Sequence, residues 1–297
     1  MPAYTCRLTN CLLNGEVGRE HSKGWTRNII KLRLGSFDVE LVQARDLITG
    51  TKWTDLRGQG VATTQLIVST GDESGGEDRE VLRAAMIHLL TVATGSLVLA
   101  SPWREDDGTR MEASYPADGF INYFRPTIPT EDGEAVRLFL ESCYPHYQAA
   151  RRAVDLPVAL AYYAHSLLDR DPLQISLVKS FVCLEHLKHT FAKRRGYPFV
   201  DGHFRTVVTG KSSGNRLGFK SLLREMLSDL GMHPELDELI VLRNDIIHSG
   251  LSDMSGDRQW ELYGIAQDIL QEYFLRLFQY DGEYLRYSTM EYARTGR

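Results

Sequence analysis

The sequence predicts an α+β protein: an antiparallel β-rich N-terminal region with one helix, followed by an all-α bundle. Two observations carry this. Residues 30–41 alternate apolar and charged side chains with a period of two around Gly35-Ser36, whereas beyond Glu134 the apolar residues recur at helical spacing, as in Leu177, Phe181, Leu184, Leu187 and Phe191. The change of period falls around 128–133, which divides the chain into residues 1–130 and 131–297.

The hairpin is the sharpest local expectation. A two-residue turn sets Leu34 opposite Phe37, Leu32 opposite Val39 and Ile30 opposite Leu41, and the same register pairs Arg33 with Asp38 and Lys31 with Glu40 on the other face. Tyr4–Leu13 and Val61–Ser69 add strands, Glu80 to about Leu97 forms a helix, and Val98–Trp103 returns to the sheet. An acidic, turn-rich stretch from Arg104 to Gly133 leads into the helices. Tyr144, Tyr147, Tyr162, Tyr163, Trp260, Tyr263, Tyr273, Phe274 and Phe278 then form aromatic stripes that suit a core or a dimer interface.

At 297 residues and 43% hydrophobic content the chain can bury sizeable cores, and two domains are expected. No basic leader precedes an apolar stretch and no apolar run reaches membrane length, so neither secretion nor a membrane partner is expected. Cys6, Cys11, Cys143 and Cys183 show no paired framework, which fits a reducing cytoplasm. Zinc held by Cys6, Cys11 and His21 is discounted, because an odd spacing along a strand puts the two sulfurs on opposite faces. No metal or cofactor is expected.

The chemistry concentrates in Arg243-Asn244-Asp245-Ile246-Ile247-His248, followed by Ser249-Gly250. Pro234 suits the first position of a helix, Glu235, Asp237 and Glu238 complement its positive end, and Gly250 ends it in a left-handed cap. Leu236, Leu239, Ile240, Ile246 and Ile247 share one apolar arc with Arg243 in its middle, where a guanidinium needs a carboxylate or an anionic ligand. Asn244 and His248 stack one turn apart on an edge of that arc. Glu185 lies within the apolar face of the Leu173–Arg195 helix; it either pairs with Arg243 or is solvated on a rim. Lys188 points into the same face and snorkels out of it. A second Arg–His pair at the same interval, Arg83 and His88, lacks the asparagine and runs on into more helix. It reads as ordinary amphipathic packing, as do His165, His186 and His189, which lack the company of metal ligands.

The segment Ser180-Phe181-Val182-Cys183-Leu184-Glu185-His186-Leu187, together with Leu242-Arg243-Asn244-Asp245-Ile246-Ile247-His248-Ser249-Gly250, resembles the HEPN superfamily over roughly residues 135–285. Within it the chain looks most like the ApeA-type proteins, in which a β-rich region precedes the helical domain. The resemblance implies a HEPN-like bundle, often dimeric, and a metal-independent endoribonuclease of defence or toxin systems, located in the cytoplasm. Its signature, an arginine, usually a polar residue, then a histidine after four to six positions, falls on Arg243, Asn244 and His248. The expected reaction is attack of a ribose 2′-hydroxyl on the adjacent phosphorus, with His248 as general base or acid and Arg243 stabilising the phosphorane oxygens. One imidazole cannot serve both sides of the phosphorus, so a homodimer presenting two copies of the motif is expected. The alternative is a non-catalytic HEPN module that binds RNA, a nucleotide or a partner protein.

Charge distribution bears on the substrate. The chain totals −5, yet residues 186–224 hold nine cations (Lys188, Lys193, Arg194, Arg195, Arg205, Lys211, Arg216, Lys220, Arg224) against Asp201 alone, a surplus of eight that leaves about −13 elsewhere. With Gly202, Gly210 and Ser212–Asn215 at its centre, this stretch reads either as a mobile cationic flap that tracks an RNA backbone or as a solvated loop. In the first case Lys188, Lys193, Arg194, Arg195 and Lys211 contact RNA, and Tyr197, Phe199 and Phe204 stack on unpaired bases. The N-terminal region could take a trigger ligand or an antitoxin, or mediate assembly.

Overall fold

The computed structural model describes residues 3–21, 24–44, 61–70, 76–105, 125–168, 171–207 and 214–295. Strands β1 (Ala3–Thr9), β2 (Val17–His21), β3 (Gly24–Leu34), β4 (Phe37–Gln43) and β5 (Ala62–Thr70) join β6 (Leu99–Ala100) and β7 (Arg104–Glu105) in one antiparallel sheet of order β2-β3-β4-β5-β1-β6, with β7 also on β1. The expected hairpin register is observed pair for pair, from Ile30↔Leu41 to Leu34↔Phe37, and Lys31 reaches Glu40 at 2.9 Å on the outer face. The outer face is not wholly charged: Ile29, Val42 and Ile67 form a small apolar cluster on it.

Helix α1 (Gly76–Thr94) lies on the inner face, and its Leu82, Met86, Leu89 and Leu90 share one buried cluster with Leu8, Ile30, Leu41, Leu66 and Val68 of the sheet. Cys6 and Cys11 enter this same cluster, contrary to the expected alternation. The strand ends at Thr9 and Asn10 takes a left-handed φ of 54°, so the period of two is broken between the sulfurs. Burial pushes both thiols up to about 12. His21's side chain lies outside the described residues, as do most of 104–133.

The C-terminal region consists of α2 (Gly133–Ala153), α3 (Leu156–Ser166), α4 (Leu173–Arg194), α5 (Phe219–Ser228), α6 (Asp237–Ser249) and α7 (Gly256–Leu277). It is not purely helical. Two small hairpins, β8 (Phe199–Val200) with β9 (His203–Phe204) and β10 (Glu283–Leu285) with β11 (Tyr292–Arg294), interrupt it. Asp132 caps α2 by accepting the Glu134 N–H at 3.0 Å. Gly133 is needed at that entry, since a Cβ there would lie 2.7 Å from the Asn14 carbonyl oxygen and 2.9 Å from the Glu16 nitrogen.

That close approach docks the helices on the sheet. The Asn14 N–H donates to the Thr130 carbonyl at 2.9 Å, Arg137 of α2 donates to Glu16 at 3.0 Å, and the Arg33 N–H of β3 donates to Glu141 at 3.0 Å. One buried cluster accordingly runs from Cys6 through α1 to Tyr287. The boundary near residue 130 therefore separates two kinds of secondary structure that share one core. Helix α7 runs through the bundle with buried glutamines, of which Gln267 donates to Ser166 and Ser180 and Gln271 to Thr127. No described helix is long and apolar enough to cross a membrane.

Candidate functional site

Helix α6 carries the Arg243–His248 motif and begins at Asp237, three residues beyond the expected start. Residues 232–236 precede it without regular structure, and Met232 and Leu236 are buried at either side of Pro234. The acids of the first turn are both engaged: Asp237 with Lys220 at 2.6 Å and Arg224 at 3.0 Å, Glu238 with Arg258 of α7. Gly250 ends the helix as expected, with φ 77° and its N–H on the Ile246 carbonyl.

The buried stripe of α6 is Leu239, Leu242 and Ile246, with Leu236 just before it, while Ile247 is 41% exposed. The apolar arc is thus turned toward Leu242, and Arg243 lies at its edge. Glu185 of α4 meets it there. One carboxylate oxygen accepts from Arg243 Nη2 at 2.5 Å and the other from Lys188 Nζ at 2.6 Å. Of the two readings open for Glu185, pairing is observed. Lys188 does not snorkel; its side chain is only 12% exposed.

Phe219, the first residue of α5, underlies both cations, with the Arg243 guanidinium carbon 4.7 Å and the Lys188 nitrogen 5.1 Å from its ring centroid. Arg243 Nη1 donates to the Asn244 side-chain oxygen at 2.9 Å. Arg243 Nε is buried without a hydrogen-bond acceptor among the described residues. Three helices therefore fix one guanidinium, and Asn244 carries the chain of contacts outward to the surface. His248 is exposed one turn further along and makes no hydrogen bond among the described residues. At roughly 100° per residue it lies about 40° around the helix from Asn244 and about 140° from Arg243. The structure brings Arg243, Asn244, Glu185 and Lys188 together; His248 stands beside this group, open to solvent.

The basic segment is more neutral in space than in sequence. Arg194 and Arg195 share Asp229, Lys220 and Arg224 share Asp237, Arg205 lies 4.0 Å from Asp201, and Lys188 is held by Glu185. Lys193 and Arg216 are exposed and without an acidic partner among the described residues. Lys211 lies outside those residues, with 208–213. The flanks of that stretch form an ordered stem: β8–β9 is extended by an Arg205–Arg216 bridge and by the Thr206 N–H on the Asn215 carbonyl at 2.9 Å.

Of the three aromatics on this stem, Phe204 is buried and the Tyr197 hydroxyl donates to Glu225 at 2.7 Å. Only Phe199, 55% exposed, keeps an open face. His189 packs against both phenylalanines; partial burial, then the neighbouring lysines Lys193 and Lys188, hold its pKa below the usual histidine value. Among the described residues no group of three His, Cys, Asp or Glu side chains is placed to hold a metal ion.

Phe219 is the site residue that sequence reasoning missed. It lies 24 positions before Arg243 in a stretch dominated by glycine and basic residues, and only the first turn of α5 brings it under the guanidinium. A scan against protein-family models and searches of curated proteins and of solved structures found no match to this chain.

Proposed function

We propose that the protein is a metal-independent endoribonuclease of the HEPN type, acting as a homodimer in a defence or toxin system of the cytoplasm. The observation that supports this most is the relay from Glu185 through Arg243 and Asn244 to the rim where His248 is open to solvent. A guanidinium fixed by a carboxylate is preorganised for the charge that develops on phosphorane oxygens, an effect worth roughly 10²–10³ in rate for one such donor. His248 removes the proton from a ribose 2′-hydroxyl, whose oxygen bonds to the adjacent phosphorus. The P–O5′ bond breaks, and His248 of a second copy protonates the leaving oxygen. The products are a 2′,3′-cyclic phosphate and a 5′-hydroxyl. Asn244 holds a nonbridging oxygen or keeps the guanidinium in plane.

The test is incubation of total RNA with the purified protein in EDTA. Wild type is expected to leave 2′,3′-cyclic phosphate ends, and His248→Ala and Arg243→Ala to leave the RNA intact. Cleavage by either variant removes this mechanism.

A second reading has an observation of its own. The Arg243 guanidinium is already bound to Glu185 and Asn244 and lies over Phe219, which is how an arginine with a purely structural task is held. On that reading the chain is a non-catalytic module for RNA, a nucleotide or a protein, and it binds RNA without cutting it, equally well as His248→Ala.

A further inference from the structure

The β8–β9 stem carries one open aromatic ring that the cleavage chemistry does not use. Phe199 of β8 is 55% exposed, while its cross-strand partner Phe204 is buried with Ala192 and Leu222. Phe204 meets it at 4.8 Å and 60°, and His189 of α4 meets it at 5.7 Å and 73°. Both contacts are edge-to-face, so two neighbours brace the ring and no described ring lies flat against it. A single exposed phenylalanine needs no explanation by itself. The surroundings of this one give it a direction.

His189 is one turn beyond Glu185 on α4, and Lys193 is one turn beyond His189, so the three form one ridge of the helix. Glu185 is the residue that holds the Arg243 guanidinium. The step from Glu185 to His189 is about 6 Å along the axis, which sets the Phe199 ring beside the Arg243 group. At the other end of the ridge Lys193 is exposed and has no acidic partner among the described residues. Its charge is close enough to His189 to be, after burial, the largest influence lowering the pKa of that imidazole. Glu185, the one acid of the ridge, is already neutralised by Arg243 and Lys188. Arg205 follows Phe204 along the strand and bridges Arg216, which turns that pair to the opposite face of the stem. The stem's one acid, Asp201, lies 4.0 Å from Arg205. The face of Phe199 thus offers an open ring and a free ammonium, which suit a base and the phosphate joined to it.

We infer that Phe199 is a stacking platform for one unpaired RNA base beside the cleaved phosphodiester, with Lys193 on the adjoining phosphate. This deepens the endoribonuclease reading and rests on it for the identity of the strand. The consequence is a substrate requirement. A base stacked inside a duplex has no free face to give, so the nucleotide at Phe199 comes from a loop, a bulge or a single strand.

Fluorescence anisotropy with the full chain carrying His248→Ala, so that bound RNA stays uncut, tests it. The probes are a labelled RNA of about ten nucleotides that cannot pair with itself, and the same strand annealed to its complement. The single strand should bind at least tenfold more tightly than the duplex. Phe199→Ala and Phe199→Leu should each weaken the single strand at least fivefold, the scale of one lost base–aromatic contact, and move the duplex by no more than about twofold. Phe199→Trp should bind like the parent. The leucine keeps apolar packing against Phe204 and His189 without a π-face, so it separates lost stacking from a damaged stem. Lys193→Gln should weaken binding at low salt and lose its effect as salt rises, whereas the Phe199 effect persists. Arg216→Gln, on the other face, should change affinity by no more than about twofold. No binding of the single strand in the micromolar range, a duplex that binds as tightly, or a Phe199→Leu variant that binds unchanged each overturns the inference. Phe199-dependent binding by a wild type that leaves RNA intact in EDTA removes only the nuclease reading. Cleavage by a wild type whose binding ignores Phe199 removes only the stacking platform.

Discussion

The chain contains the interval Arg–four residues–His twice, and the fold uses the two copies in opposite ways. In α1, Arg83 donates to Glu80 of its own helix at 2.6 Å and to the Ser101 carbonyl at 2.9 Å, and His88 is closed in against the Tyr147 hydroxyl at 2.6 Å. The helix continues to Thr94, so nothing opens beyond the histidine. In α6, Arg243 reaches across to another helix, and the helix ends at Ser249, the residue after His248. The spacing is identical, so it does not decide the outcome. The carboxylate opposite the arginine and the helix end beyond the histidine decide it.

The largest expected contrast is in RNA cleavage. His248→Ala and Arg243→Ala should each lower the rate by roughly 100-fold or more, the scale of one lost charge-stabilising donor or acid–base group. Arg83→Gln should change it by no more than about twofold. Rates on one RNA substrate measure both, and an equal loss from the Arg83 variant would erase the distinction drawn between the copies.

The copies should also differ in how stability responds to pH. Burial, then the nearby positive charge of Arg151, lowers the His88 pKa from 6.5 to about 4. The folded state therefore binds this proton less readily than the unfolded chain does. Stability is fully present above pH 6.5, is lost as pH falls toward about 4, and changes no further below that. The full loss is on the order of 3 kcal/mol at most. Urea denaturation between pH 7 and 4.5 should show this slope in wild type and a shallower one in His88→Phe. A slope unchanged by that substitution would assign the acid sensitivity to other groups.

What could be read from the sequence follows a physical line. Strand register was legible because a two-residue turn and a period of two leave one pairing that buries Ile30, Leu32 and Leu34 together. The Glu185–Arg243 encounter was legible because two charged groups on apolar faces have few ways to be neutralised. The start of α6 was misplaced because the propensity of Pro234 for a helix start yields to the burial of Leu236. The surplus of basic charge was overstated because Asp229, Asp237 and the second oxygen of Glu185, which neutralise it, lie outside the counted segment or across the fold. A cavity walled by Trp260, Tyr263 and Tyr287 was invisible because its lining is scattered from Arg125 to Tyr287. Local alternation and buried charge are written in sequence; sharing of partners between distant segments is not.

A smaller effect sharpens the role of the carboxylate. Glu185→Gln removes one charge from between two cations whose side chains are 17% and 12% exposed. Breaking a fully buried pair costs about 3–5 kcal/mol, and the partial exposure of this one reduces the expectation to roughly 1–3 kcal/mol. Thermal denaturation reads it directly. A double-mutant cycle with Arg243→Met separates the Arg243 share from that of Lys188. Glu80→Gln, at the exposed partner of Arg83, should cost under about 1 kcal/mol. Equal costs would mean that the contact between helices adds nothing to what an exposed pair within one helix provides.

The smallest effect concerns one of the three positions at which the copies differ in sequence, Asn244 against Ala84. Asn244 is exposed and makes one hydrogen bond to Arg243 at 2.9 Å, so Asn244→Ala should cost no more than about 1 kcal/mol of stability. If the amide also holds a substrate oxygen or keeps the guanidinium in plane, cleavage should fall by tenfold or more while the melting temperature hardly moves. A loss of activity that only tracks the loss of stability would leave Asn244 as packing for Arg243. In that case the difference between the copies would reduce to Glu185 and to the helix end at Gly250.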